Sequence, residues 1–179
     1  FIFGVPDTYQ FHKLNIIKQH RHHYSGVASL GPGFVSALQD KLGAGISFHP
    51  FININSRLIK YGVVNTYTPH RDLSRWETLY LAGPLQKPVL VLTDNPAVKE
   101  ANESNLRSAI RVAMLLLPET FTERALYTTI TGLSYKGDPR MDVGGDNPHK
   151  VENIVRDQLV HFRDPYSGFL RGSSGVSLL

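Results

Sequence analysis

The sequence predicts an α/β (α+β) protein: a mixed sheet with helices, followed by a mainly helical part. Three observations lead there. Extended, β-rich runs at residues 1–5, 46–54, 57–64 and 87–92 alternate with helical patterns through the first half. Beyond Asp94-Asn-Pro96 every periodic stretch repeats at helical spacing. The change of character sets an expected junction near Thr93, giving parts at 1–92 and 93–163 and a tail at 164–179.

The elements follow in order. Residues 1–5 read as a strand, and Gly4-Val-Pro-Asp7 as its exit turn. Residues 11–23 suit a helix with Phe11, Leu14 and Ile17 on one side, ending in the basic run Lys18-Gln-His-Arg-His-His23. That run fits a solvated helix end better than a metal or phosphate site, because its spacing matches no defined ligand set. Gly31-Pro-Gly33 opens a second helix carrying Phe34, Leu38 and Leu42, and Gly43 is placed to stop it. Pro50 interrupts the next extended run and predicts an edge or a bulge. Asn53-Ile-Asn-Ser56 then turns into the central strand, as in a hairpin.

That strand, Arg57-Leu-Ile-Lys-Tyr-Gly-Val-Val64, puts Leu58, Lys60, Gly62 and Val64 on one face and Ile59, Tyr61 and Val63 on the other. A lysine between apolar neighbours either snorkels to solvent or is compensated by an anion, for which Gly62 would leave room. A helix is expected over 71–82 with Trp76, ended by Gly83-Pro84, and then a strand over 87–92 with Lys87 at its entrance. In the second half Leu106, Ala109, Ile110, Ala113 and Leu117 form one helical stripe, stopped by Pro118. Thr120-x-x-Glu123 reads as a capping box for a helix burying Leu126, Ile130 and Leu133. Residues 150–162 form the last helix, burying Val151, Ile154, Val155, Leu159 and Phe162.

Composition excludes several classes. The 179 residues are 41% hydrophobic and 19% charged, ordinary for a folded domain or two. A net charge of +4 suits an anionic partner without choosing one. With no cysteine there is no disulfide and no thiolate metal site. No apolar run approaches the roughly 18 residues of a membrane span. The chain opens inside an apolar run rather than on Met, so residues upstream are expected. There is no Walker sequence, no G-x-G-x-x-G, no H-E-x-x-H and no triad-like spacing. Two turns carry charge: Gly132-Leu-Ser-Tyr-Lys-Gly-Asp-Pro-Arg-Met141, and Gly144-Gly-Asp-Asn-Pro148 ahead of Lys150. The first is either a locally paired turn or a site where Lys136 and Arg140 meet an anion with Asp138 orienting Arg140. The second is a weak candidate for phosphate at a helix start.

Taken together, Phe1-Ile-Phe-Gly-Val-x-Asp7, His12-x-x-Asn15, His23-Tyr-Ser25, Gly43-Ala-Gly45, Ile59-Lys-Tyr-Gly-Val63, Leu81-Ala-Gly-x-Leu-x-Lys-Pro-Val89, Leu116-Leu-Pro-Glu119, Leu133-Ser-Tyr-x-Gly-Asp138, Arg140-Met141 and Lys150-Val-x-Asn-Ile-Val155 resemble the mitochondrial phosphatidate cytidylyltransferases. These are also known as mitochondrial CDP-diacylglycerol synthases or translocator assembly and maintenance proteins. The likeness runs in order from Phe1 to about Phe162.

The resemblance implies a nucleotidyltransferase domain followed by a winged-helix-like domain. It implies transfer from CTP to phosphatidate with Mg²⁺, feeding cardiolipin synthesis. It further implies a peripheral place on the matrix side of the mitochondrial inner membrane, in contact with its anionic surface and without nucleic acid. On this reading Lys60, Tyr61, Gly62 and Lys87 bind the nucleotide, Lys60 being catalytic. Lys136, Arg140 and Lys150 face the lipid phosphate, Asp138 orients, and Asp7 is a second metal carboxylate. The family's Tyr-Gly-Ser-Gly loop and main metal acid fall upstream of Phe1, so the fragment is expected to be catalytically incomplete. Pro84 and Gly145 stand where the family has arginine and glutamate. Rival readings are an RNA-directed nucleotidyltransferase, a non-catalytic assembly factor for inner-membrane translocases, and a winged-helix DNA binder. Against the last, residues 151–162 carry only Arg156 as a clear base.

Overall fold

The computed structural model describes residues 1–24, 26–42, 44–136 and 147–171. By contacts the chain forms two compact units, Phe1–Arg71 and Asp72–Leu179. This division falls ahead of the junction expected near Thr93. Gly43, Asp138, Arg140, Gly145 and the end of the tail lie outside the described residues.

The first unit is a mixed three-stranded sheet in the order β1-β3-β2, made of β1 (Ile2–Val5), β2 (Ile46–Ile54) and β3 (Arg57–Asn65). β1 pairs parallel to β3, with Ile2 opposite Gly62, and β2 pairs antiparallel to it, with Phe48 opposite Gly62. The parallel pair needs a long crossover. α1 (Thr8–Asn15) and α2 (Pro32–Ala37) lie in it, each followed by a wider π-type turn. The single helix expected over 11–23 thus becomes α1, a π-type turn and a short 3-10 turn. Pro50 sits on edge strand β2 at a register shift between His49 and Ile52, as a residue without an N–H should. Asn55 and Ser56 both take positive φ in a two-residue hairpin turn. Ile52, Tyr61 and Val63 are buried on one face of the sheet with Val5, Phe11 and Ile59 against them.

The second unit is helical among its described residues. Its elements are the end of α3 (Thr68–Arg75), α4 (Ala82–Leu85), α5 (Pro96–Leu116), α6 (Glu123–Leu133) and α7 (Lys150–Arg171). The stripes expected from spacing meet in one core: Leu106, Ala109, Ile110 and Ala113 with Leu126, Ile130 and Leu133, closed by Val155 and Phe162. Tyr127 stacks on Phe162 at 4.9 Å.

Four expectations are corrected. No helix runs through 71–82, because the buried Asp72 carboxylate accepts five hydrogen bonds. They come from the N–H groups of Thr78, Leu79, Leu81 and Ala82 and from the Thr78 hydroxyl, at 2.8–3.0 Å. This takes the donors a helix would use and holds Trp76 and Leu79 at positive φ. Gly83-Pro84 therefore lies inside α4 rather than ending a long helix. Residues 87–92 form no strand; their β-preference is one for packing beside another strand, and among the described residues none pairs with them. Thr122, not Thr120, caps α6, its hydroxyl accepting from Ala125 N–H. α7 continues past Phe162 and through Pro165, so the tail expected from 164 begins in a helix. Burial of Tyr166, whose hydroxyl donates to the Gln86 carbonyl at 2.7 Å, offsets the proline's missing bond.

Burial alone would raise the Asp72 pKa, but the bonds from Ala82, Thr78 and Leu81 outweigh it and leave it below the usual carboxylate value. Its contribution to stability is thus full above about pH 4 and is lost as pH falls through the lower folded value. Asp72→Ala should cost about 3 kcal/mol at neutral pH in urea denaturation followed by Trp76 fluorescence. The gap between variant and parent should close only below about pH 4.

Candidate functional site

The second unit assembles a cationic site at the exit of α4. Lys87 Nζ donates to the Gly83 carbonyl at 2.7 Å and to Ser134 Oγ at 3.1 Å. It lies 5.1 Å from the centre of the Tyr135 ring, and Lys150 Nζ lies 5.2 Å from the same centre. Two ammonium groups thus share one aromatic ring. Gly83 makes this possible. A Cβ there would stand 2.3 Å from Ser134 Cβ, so only glycine admits Ser134 close enough to meet the lysine. Burial, and then the charge of Lys150, push the Lys87 amine down to about 8. Among the described residues no carboxylate pairs with Lys87. Because Ser134 Oγ accepts from the lysine, its own proton remains for another acceptor. Exposed Lys136 follows Tyr135 directly. Such an arrangement can hold a multiply charged anion such as a phosphate.

In the first unit Lys60 is exposed on the sheet face opposite Tyr61, with Nζ 4.7 Å from the centre of the Phe48 ring. It lines neither the depression formed by Phe1, Ile54, Asn55, Arg57 and Ile59 nor that formed by Asp40, Asn65, Tyr67, Thr68 and Arg71. The space over Gly62 is filled by protein: a Cβ there would meet Phe48 at 3.0 Å and Ile46 at 3.1 Å.

Tyr61 is buried, and its hydroxyl is bonded to Asn15 Nδ2 at 3.2 Å and His23 Nδ1 at 2.9 Å. It belongs to a network that spacing did not foretell. His12, fully buried, joins Tyr24 through Nδ1 and Gln39 through Nε2, both at 2.9 Å. Asn15 also donates to Tyr24, and His49 stacks on Tyr61 at 4.6 Å. Burial is the main cause lowering the pKa of His12, His23 and His49, and it pushes Tyr24 up to about 12. Only the i,i+3 spacing of His12 and Asn15 on one helix face hinted at this cluster.

Asp7 caps α1, its carboxylate accepting from Gln10 N–H at 2.9 Å. Among the described residues no three His, Asp or Glu side chains come together to hold a metal ion. Of the sequence candidates, Lys87 and Lys150 are brought onto one ring with Lys136 beside it. Lys60, Tyr61, Gly62 and Asp7 belong to the first unit.

Comparison with known proteins bears out the family resemblance. The family model described as "Phosphatidate cytidylyltransferase, mitochondrial" matches residues 1–179. Proteins of that name are similar along nearly the whole chain. The relative from Schizosaccharomyces pombe is 44% identical over 179 residues, covering 100% of this chain and 45% of its own length. That from Xenopus laevis is 48% identical over 172 residues, covering 95% and 50%. That from Drosophila melanogaster is 48% identical over 168 residues, covering 90% and 48%. The chain spans about half the length of the curated relatives it matches.

Two outcomes follow from the geometry. Gly83→Ala should lose about 1–3 kcal/mol by overpacking against Ser134, measured by thermal denaturation. The three histidines are held below their ordinary pKa, so the unfolded chain binds more protons than the fold as pH drops. Stability of the first unit should therefore decline below about pH 6.5, in a window distinct from that of Asp72. Urea midpoints between pH 7 and pH 5, read by hydrogen exchange in the two units, check the order.

Proposed function

The chain belongs to the family of mitochondrial phosphatidate cytidylyltransferases, and on that premise we propose that the full-length protein transfers a cytidylyl group from CTP to phosphatidate. A phosphate oxygen of phosphatidate attacks the α-phosphorus of CTP, the new P–O bond forms, the bond to the β-phosphate oxygen breaks, and diphosphate leaves. CDP-diacylglycerol, the product, serves mitochondrial phospholipid synthesis, including cardiolipin. The protein works peripherally on the matrix side of the inner membrane, where its lipid substrate lies. No helix among the described residues is long and apolar enough to cross a membrane.

The observation that carries this reading is the meeting of Lys87 and Lys150 on the ring of Tyr135. We assign Lys87 to the nucleotide and Lys150 to the lipid phosphate, and one ring between them is where two reacting phosphates would lie side by side. Phosphates repel as they approach; two cations in a partly dehydrated site reduce that repulsion and hold the reacting atoms in line. Ser134 keeps Lys87 aimed and Lys136 adds charge at the rim. Arg140 and Asp138 are assigned to the lipid phosphate, and Lys60 to the triphosphate, on the family resemblance alone.

Mg²⁺, when bound, would neutralise phosphate charge. The described residues do not by themselves form a site for it, and Asp7 is the one candidate ligand they offer. A nucleotidyltransferase-type arrangement around the parallel β1–β3 pair and a winged-helix-type arrangement of residues 93–163 complete the proposal.

Lys87→Ala in the full-length protein should lower CDP-diacylglycerol formation from CTP and phosphatidate vesicles at least a hundredfold with an unchanged melting temperature. Activity within threefold of the parent refutes the assignment. The parent's rate should fall above about pH 8 as Lys87 loses its proton. Lys150→Met removes a like charge and should move that limb to higher pH while lowering the rate.

A further inference from the structure

Pro88 follows Lys87, and after it come four aliphatic residues in a row. Their exposures are 51% for Val89, 84% for Leu90, 64% for Val91 and 74% for Leu92. They lie in no helix or strand. Single exposed aliphatic residues are ordinary, but four in succession on an irregular segment are not. Their position bears on what covers them. Val89 is two residues from Lys87, so its backbone lies within about 7 Å of that lysine's. Lys87 in turn shares the Tyr135 ring with Lys150. An aliphatic segment that starts two residues after Lys87, whose ammonium shares a ring with that of Lys150, matches the layering of an anionic bilayer, with phosphate above and hydrocarbon below.

We propose that Val89–Leu92 is a lipid-inserting loop that seats the cationic site at headgroup depth. The inference rests on the cytidylyl-transfer reading, because it is the lipid phosphate at Lys150 that fixes the depth. A side chain that binds a headgroup phosphate must lie at the membrane surface, which leaves the neighbouring exposed leucines at the hydrocarbon boundary. A groove on another protein would meet the apolar residues equally well, but it would not bring the phosphate that the cytidylyl-transfer reading assigns to this site.

The test uses full-length protein carrying Leu90→Trp, its emission taken as the difference from the parent. With phosphatidylcholine vesicles containing phosphatidate, that emission should shift to the blue and be quenched by brominated acyl chains. Pure phosphatidylcholine vesicles should give little change. An emission already blue before lipid is added shows the loop covered by protein and overturns the proposal. So does an equal shift with neutral vesicles, or no shift with either.

The pair Leu90→Glu with Leu92→Glu should lower vesicle binding about tenfold or more. It should leave turnover of a dispersed short-chain phosphatidate unchanged, with Trp76 emission confirming the fold. Lipid insertion without CDP-diacylglycerol formation would sink the activity and spare the surface. Turnover without insertion would do the reverse.

Discussion

A lysine ammonium taken partly out of water is the constraint on which the second unit turns. Lys87 is lowered to about 8 by burial and a like charge, so the charged form survives near neutral pH only because its surroundings are polar in the right places. The Gly83 carbonyl, the Ser134 hydroxyl and the face of Tyr135 supply that polarity. Each comes from a different part of the chain, and each needs its own support. Gly83 must lack a Cβ. The loop that delivers α4 must be fixed by Asp72, and α6 must be seated on its core for Ser134 to reach its place. The buried Asn105 ties this together, accepting from Trp76 Nε1 and Gln86 Nε2 and donating to the Ala82 carbonyl.

The first unit solves a different problem. Its sheet has one face packed by apolar side chains and also threaded by histidines and tyrosines. Buried polar groups are costly unless paired. Here every ring nitrogen of His12 has a partner, and the Tyr24 and Tyr61 hydroxyls are shared by Asn15 and a histidine each. Keeping the histidines neutral lets each ring both donate and accept, which a protonated ring cannot do. Tyr61, which spacing offered as a ligand contact, belongs to this framework and holds β3 to the segment that follows α1. Lys60, its neighbour in sequence, points to the other face.

The two units illustrate how family fragments converge. His12-x-x-Asn15, His23-Tyr and Tyr61 are short, scattered pieces that meet in one network. Leu81-Ala-Gly, Lys87 and Leu133-Ser-Tyr are equally scattered and meet around one ammonium. Pieces this short carry little meaning singly. Their joint occurrence matters because each completes a contact that another begins.

What the sequence determined by itself was the periodic part. Runs of β-preferring residues marked β1, β2 and β3, the proline of β2 located its irregularity, and helical stripes named most of the second core, because burial of one helix face writes its period directly into the chain. Lys60, Lys87 and Lys150 were also visible as unusual cations. Tertiary structure alone decided the rest. Residues 71–82 have helical spacing, yet Asp72, itself among them, takes the amide protons of Thr78, Leu79, Leu81 and Ala82. Residues 87–92 have strand composition, yet among the described residues no strand pairs with them. The partners of Lys87 stand 4 and 47 positions away in the chain. Hydrogen bonds and close packing between residues far apart in sequence leave no local period, and it is these that bring Lys87, Ser134, Tyr135 and Lys150 together.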